Sequence, residues 1–146
     1  MKKILFFIFI LVFCPHCSYA QTWVHVDQYN YIDKDSIKTY INDYGDYDYT
    51  KKTFWLKSID TQKYKDINKK VDYCLVLYII NYQKQLITVK AFFAYDKDGK
   101  IVLSETFSDH QLNWNAIVPE SLGEKWAELV QKPRLLKKMY KLENNY

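Results

Sequence analysis

Glycine, proline and cysteine are scarce in this chain, with three of each in 146 residues. So few glycines leave no glycine-rich loop of the kind whose amides cradle nucleotide phosphates. Only three histidines exist, and His25 and His110 are the two beyond the first twenty residues. They form no H-E-x-x-H pair and no Cys/His cluster with metal spacing, and no G-x-S-x-G is present. A large excess of one charge is also missing. The chain has 21 basic against 17 acidic residues, a net +4, too weak and too evenly mixed for nucleic acid. These absences point away from an enzyme, and the sequence implies no cofactor and no metal.

A long hydrophobic run is lacking as well. Ile4–Phe13 is apolar but half the length of a membrane span, which takes about 20 residues. It follows Met1-Lys2-Lys3 and precedes Ser18-Tyr19-Ala20, the pattern of a signal peptide (1–20) cleaved after Ala20. Within it lies Cys14-Pro15-His16-Cys17, which resembles the redox tetrad of thioredoxin-class oxidoreductases. A working tetrad opens a helix after a strand, because the helix N-terminus lowers the thiol pKa. Here a signal core precedes it and the alternating Thr22–Val26 follows. A lipoprotein cut before Cys14 or Cys17 is the alternative, although Phe13 and His16 are poor residues before such a cut. Either way the mature form carries no transmembrane span.

With Lys2 and Lys3 removed, 19 basic residues face 17 acids, a net +2, and Cys74 is the only thiol left. Its neighbours Tyr73 and Leu75 mark it as a small buried group on a strand, the alternative being a disulfide between two chains. Fourteen tyrosines, eight phenylalanines and four tryptophans favour strands.

The order of segments predicts an α+β fold, an antiparallel sheet of about six strands with a C-terminal helix on one face. Strands are expected at Trp23–Asp27, Ile37–Asn42, Thr53–Ile59, Val71–Tyr82, Leu86–Tyr95 and Ile101–Phe107. Turns are expected at Tyr29–Ile37, at Asp43–Tyr49 and at Asp96-Lys97-Asp98-Gly99, and an exposed polar connection at Asp60–Lys70. Asp96 and Asp98 also resemble the start of a calcium loop, but the later oxygen ligands and the closing Glu are missing. Ser121 and Glu124 form a capping box, and Leu122, Trp126, Leu129 and Val130 then share one helical face that should dock on the sheet. Pro133 should end or kink that helix, so the domain is placed at 21–133 with a basic amphipathic helical tail at 134–146. Asp109-His110 is a base-catalyst pattern in principle, but reads as a loop pair facing water.

The order of several short motifs resembles the bacterial surface-adhesin protein E family. They are Trp23, Tyr31-Ile32-Asp33, Ser36-Ile37, Trp55-Leu56-Lys57, Asp72-Tyr73-Cys74, Tyr95–Ser104 and the block Trp114–Glu124. The resemblance runs from Thr22 to about Gln131. It implies an exported domain, periplasmic or on the cell surface, with no enzymatic activity and a protein partner, from host or bacterium. It also implies a disulfide from the sheet cysteine, here Cys74, to the end of the helix, at about Gln131. Glutamine stands there, so the staple is absent. Function therefore reads as a binding module, adhesive toward extracellular proteins; the alternatives are a periplasmic structural or envelope protein, or a lipid-anchored form of either. Candidate binding surfaces are the sheet face away from the helix and Tyr44, Tyr47 and Tyr49 in the Tyr/Asp turn. Exposed sheet edges would also allow pairing of two copies.

Overall fold

The computed structural model describes residues 22–60 and 71–143. The expected signal peptide with Cys14 and Cys17, and the polar connection after Asp60, lie outside the described residues.

Eight strands form one antiparallel sheet: β1 (Trp23–Asp27), β2 (Asn30–Asp33), β3 (Lys38–Ile41), β4 (Tyr47–Ser58), β5 (Tyr73–Asn81), β6 (Leu86–Tyr95), β7 (Ile101–Thr106) and β8 (Asn115–Ala116). Two helices follow, α1 (Leu122–Gln131) and α2 (Pro133–Glu143). The strand order is β1-β2-β4-β5-β6-β7, with β3 on β4 and β8 on β6. The α+β class and the antiparallel sheet are as the sequence predicts.

The differences are local. The expected turn at Tyr29–Ile37 contains β2, a strand of four residues. β4 begins at Tyr47 and runs for twelve residues, so half of the expected Tyr/Asp turn is strand. The turn at Asp96–Gly99 is a hairpin turn as read: Asp96 Oδ1 accepts the Asp98 and Lys100 N–H groups, and Gly99 takes φ 75°.

Side-chain alternation gives the sheet two faces. One carries Val24, Val26, Ile32, Phe54, Leu56 and Ile80, all buried beneath the helices. Ala127, Leu129 and Val130 of α1 enter this core, with Trp126 packed at its margin. Leu122, expected on the same face, is 50% exposed, because it stands in the first turn of the helix.

Pro133 ends α1 and opens α2, since a missing N–H costs nothing in the first turn of a helix. The expected boundary between a domain and a tail is not seen. Leu136 is fully buried in the same core, and Met139 and Tyr140 pack against it, so α2 is part of the domain. At the start of α1 the Ser121 hydroxyl accepts the Glu124 N–H, 3.2 Å. The Glu124 carboxylate turns to the Glu120 N–H at 2.7 Å, one residue earlier than a capping box places it.

Candidate binding surface

The second face of the sheet is divided. Its upper half is covered by the segment from Phe107 to Trp114. Thr88 of β6 donates its hydroxyl to the Asn113 carbonyl, 2.8 Å, and the Trp114 ring lies 5.5 Å from Lys51 Nζ on β4. Tyr40, Ile79, Thr88 and Ala91 are buried on this half.

The cover is fastened by one carboxylate. Asp109 accepts hydrogen bonds from the Tyr40 hydroxyl, from Lys90 Nζ at 2.6 Å and from the Asp43 N–H at 2.9 Å. Asp43 reciprocates, taking the Asp109 N–H at 2.6 Å and Lys90 Nζ at 2.7 Å. Burial pushes the Asp109 carboxyl up, but Lys90, Tyr40 and the Asp43 N–H outweigh it and hold it at about 2. Burial, then Asp109 itself, pushes the Tyr40 hydroxyl well above its ordinary range. The reading of Asp109-His110 as a loop pair facing water is corrected for its first member. His110 alone is exposed, with Ser108 Oγ 3.1 Å from its Nδ1, while Asp109 turns inward to Lys90 and Tyr40.

Among the described residues nothing covers the lower half, and it is aromatic. Trp55 and Phe93 lie 6.0 Å apart, Tyr73 and Tyr95 stack at 4.8 Å, and His25 meets Tyr31 at 4.9 Å. Lys57 Nζ sits 4.5 Å from the centre of the Tyr73 ring. Leu75 and Leu77 lie between these rings, because β5 runs between β4 and β6 and pairs Leu75 with Lys57 and Phe93. All of these side chains are half-buried except His25, which is exposed.

The Tyr/Asp tip stands apart from this face. Tyr44, Tyr47 and Tyr49 are 90%, 60% and 84% exposed, and Tyr47 and Tyr49 stack at 6.1 Å. The tip is ordered by Asn42, whose Oδ1 accepts the Tyr44 and Asp46 N–H groups, and by Gly45 at φ 92°. Asp48 pairs with Lys51 at 2.9 Å, and the Lys51 ammonium and Thr50 hydroxyl hold its carboxyl down to about 2. Cys74 is free and fully buried on the helix side, opposite Ser58 and Ala94; burial raises its thiol to about 11.

This arrangement of strands and helices has solved counterparts. Crystal form II of Haemophilus influenzae protein E superposes with a TM-score of 0.50 over 75% of this chain and 86% of that one, at 12% identity. Protein E from non-typeable Haemophilus influenzae gives 0.51 over 84% and 90%, at 11% identity. The chain has a protein E-like fold. At that identity the protein E likeness is one of architecture. No family model matches the chain, and no curated protein matches it. Among the described residues no helix is long and apolar enough to cross a membrane, and no group of three His, Cys, Asp or Glu side chains could hold a metal ion.

Sequence reasoning named the sheet face away from the helix and the Tyr/Asp tip as candidates, without the division of that face, and missed the fastening. Asp43, Lys90 and Asp109 are separated by 47 and 66 positions along the chain. The signal that could have found Lys90 was a lysine between Val89 and Ala91, the one charged residue of its strand.

Proposed function

We propose that the chain is an exported, non-enzymatic binding module that holds a protein partner on the open lower half of its sheet. One observation carries this reading: the cluster of Tyr31, Trp55, Tyr73, Phe93 and Tyr95, with Leu75 and Leu77 among them, left uncovered by the described residues beside a half that is covered. Aromatic side chains bury much area at small entropic cost and are enriched at the centres of protein interfaces. Their half-buried state leaves ring faces for a partner while cross-strand stacking fixes their orientation. The protein E-like architecture and the signal pattern of residues 1–20 support a place outside the cytoplasm.

The test compares two variant sets in the chain beginning at Gln21. Trp55→Ser with Phe93→Ser removes the face, and Tyr44→Ser, Tyr47→Ser and Tyr49→Ser remove the tip. Binding is measured to immobilised extracellular matrix proteins and to purified envelope proteins of the producing bacterium. Loss with the face set and retention with the tip set is the expected pattern. The reverse would move the site to the tip. Fractionation of the producing cells then decides between a periplasmic and a surface-bound module.

A further inference from the structure

We propose that the cleft where the start of α1 meets the sheet is a second binding site, on the opposite face from the aromatic surface, and that it takes the ammonium group of a lysine on a partner protein. The cleft has a volume of about 160 Å³. Small-molecule pockets usually run from about 300 to 1,000 Å³, so this one suits a single side chain.

Its walls are aromatic. Tyr78 and Trp126 meet at 5.5 Å with their planes 48° apart, making a corner, and Tyr29 lines the cleft from the β1–β2 turn. Leu122, the residue of α1 that does not dock, stands at the mouth with half its surface exposed. An aliphatic stem of four carbons can lie on Leu122 while its ammonium reaches the ring faces.

Two carboxylates line the cleft, Asp27 and Asp60, and Asp27 is the one whose position neutral donors fix. Its Oδ1 accepts the Tyr29 N–H at 3.1 Å, the Asn30 N–H at 3.1 Å and Asn30 Nδ2 at 2.7 Å. Its Oδ2 accepts the Trp126 indole N–H at 3.2 Å. All these donors are neutral, and among the described residues Asp27 has no cationic partner. Asp35, Asp43, Asp48 and Asp109 each have a lysine. The carboxylate is thus fixed in position by four donors and, among the described residues, left without a counter-charge in a cleft that three aromatic residues line. That combination favours a cation over a neutral group.

The experiment titrates the intact protein with N-acetyl-lysine methylamide and, separately, with the uncharged norleucine analogue. The indole N–H resonance of Trp126 is followed, assigned by its loss in Trp126→Phe. The lysine probe should shift this resonance saturably at millimolar concentration, the norleucine probe should not, and added salt should weaken the effect. Tyr29→Leu, a surface change that leaves Asp27 and its donors in place, should lower affinity about two- to fivefold. Asp27→Asn should lower it about tenfold. Should Asp27→Asn fail to fold, Tyr29→Leu and the salt series decide. Equal response to the two probes, no response to lysine, or lysine binding indifferent to both salt and Tyr29→Leu would each overturn the proposal.

Discussion

Two residues show how much position along a strand decides. Cys74 lies at the pairing of β5 with Ser58 on one side and Ala94 on the other, on the face that the helices cover. Its thiol is pushed to about 11 by burial, so almost none is thiolate at neutral pH. In the chain beginning at Gln21, a thiol reagent should label Cys74 slowly when the protein is folded, and should find one thiol per chain in denaturant. Fast native labelling would place Cys74 at the surface. Asp109 is the opposite kind of residue, polar and stabilised by what surrounds it. Asp109→Ala would leave the Lys90 ammonium and the Tyr40 hydroxyl without their shared acceptor. A cost of about 1–3 kcal/mol in denaturant unfolding is expected. A change near zero would mean that Asp43 and water replace it fully. Cys74 was legible because its apolar neighbours declared a strand interior. Asp109 was not, because its partners come from β3 and β6 and no local pattern joins them.

At the scale of elements, the helices are held to the sheet by packing. Among the described residues Cys74 has no disulfide partner, and the end of α1 at Gln131 is exposed. What holds α1 is Trp126, Ala127, Leu129 and Val130, and behind it α2 inserts Leu136 into the same core. Trp126→Ala removes a ring that packs on Tyr78 and bonds Asp27. Because the ring is only half-buried, a loss of about 3 kcal/mol is expected, at the low end for such truncations. Leu136→Ala should cost about 2–5 kcal/mol, as for a buried leucine in a core. That second measurement separates a structural α2 from a dispensable tail: a loss below about 0.5 kcal/mol is surface behaviour. The helical periodicity of 122–130 and the apolar run of β5 were strong enough to read from sequence. β2 and β8 were not, since strands of four and two residues have too few alternations to stand out from turns. α2 was read as a helix but its packing was missed, because four lysine and arginine side chains along 133–143 hide the small apolar stripe that faces β1.

At the scale of the whole molecule, the sheet separates two kinds of cohesion. The helix side is an apolar core of β1, β2, β4, β5 and both helices. The cover on the other side depends on charge, through Asp109, Asp43 and Lys90, with Asp48 and Lys51 beside them. These two halves should respond differently to acid. Asp109 and Asp48 are held at about 2, below the ordinary carboxylate value of about 3.9. A carboxyl with a depressed folded-state pKa contributes stability that is complete above the unfolded value and lost as pH falls through the folded one. The window is therefore between about pH 4 and pH 2. Lys90 is shifted upward overall, since Asp109 and Asp43 outweigh burial, and its contribution is undiminished in acid until its partners protonate. On lowering the pH from 5 to 2, amide protection should fall first at Phe107, whose N–H bonds the Lys90 carbonyl at 2.9 Å, and at Ile117, bonded to Gln85 at 2.9 Å. Amides between β4 and β5, under the helices, should keep their protection to lower pH. Asp109→Asn should bring the loosening of Phe107 up to neutral pH while leaving the β4–β5 amides unchanged. Protection that falls uniformly across the sheet in the wild-type chain would mean that the two faces form one cooperative unit, with the carboxylate cluster no more than an ornament of it.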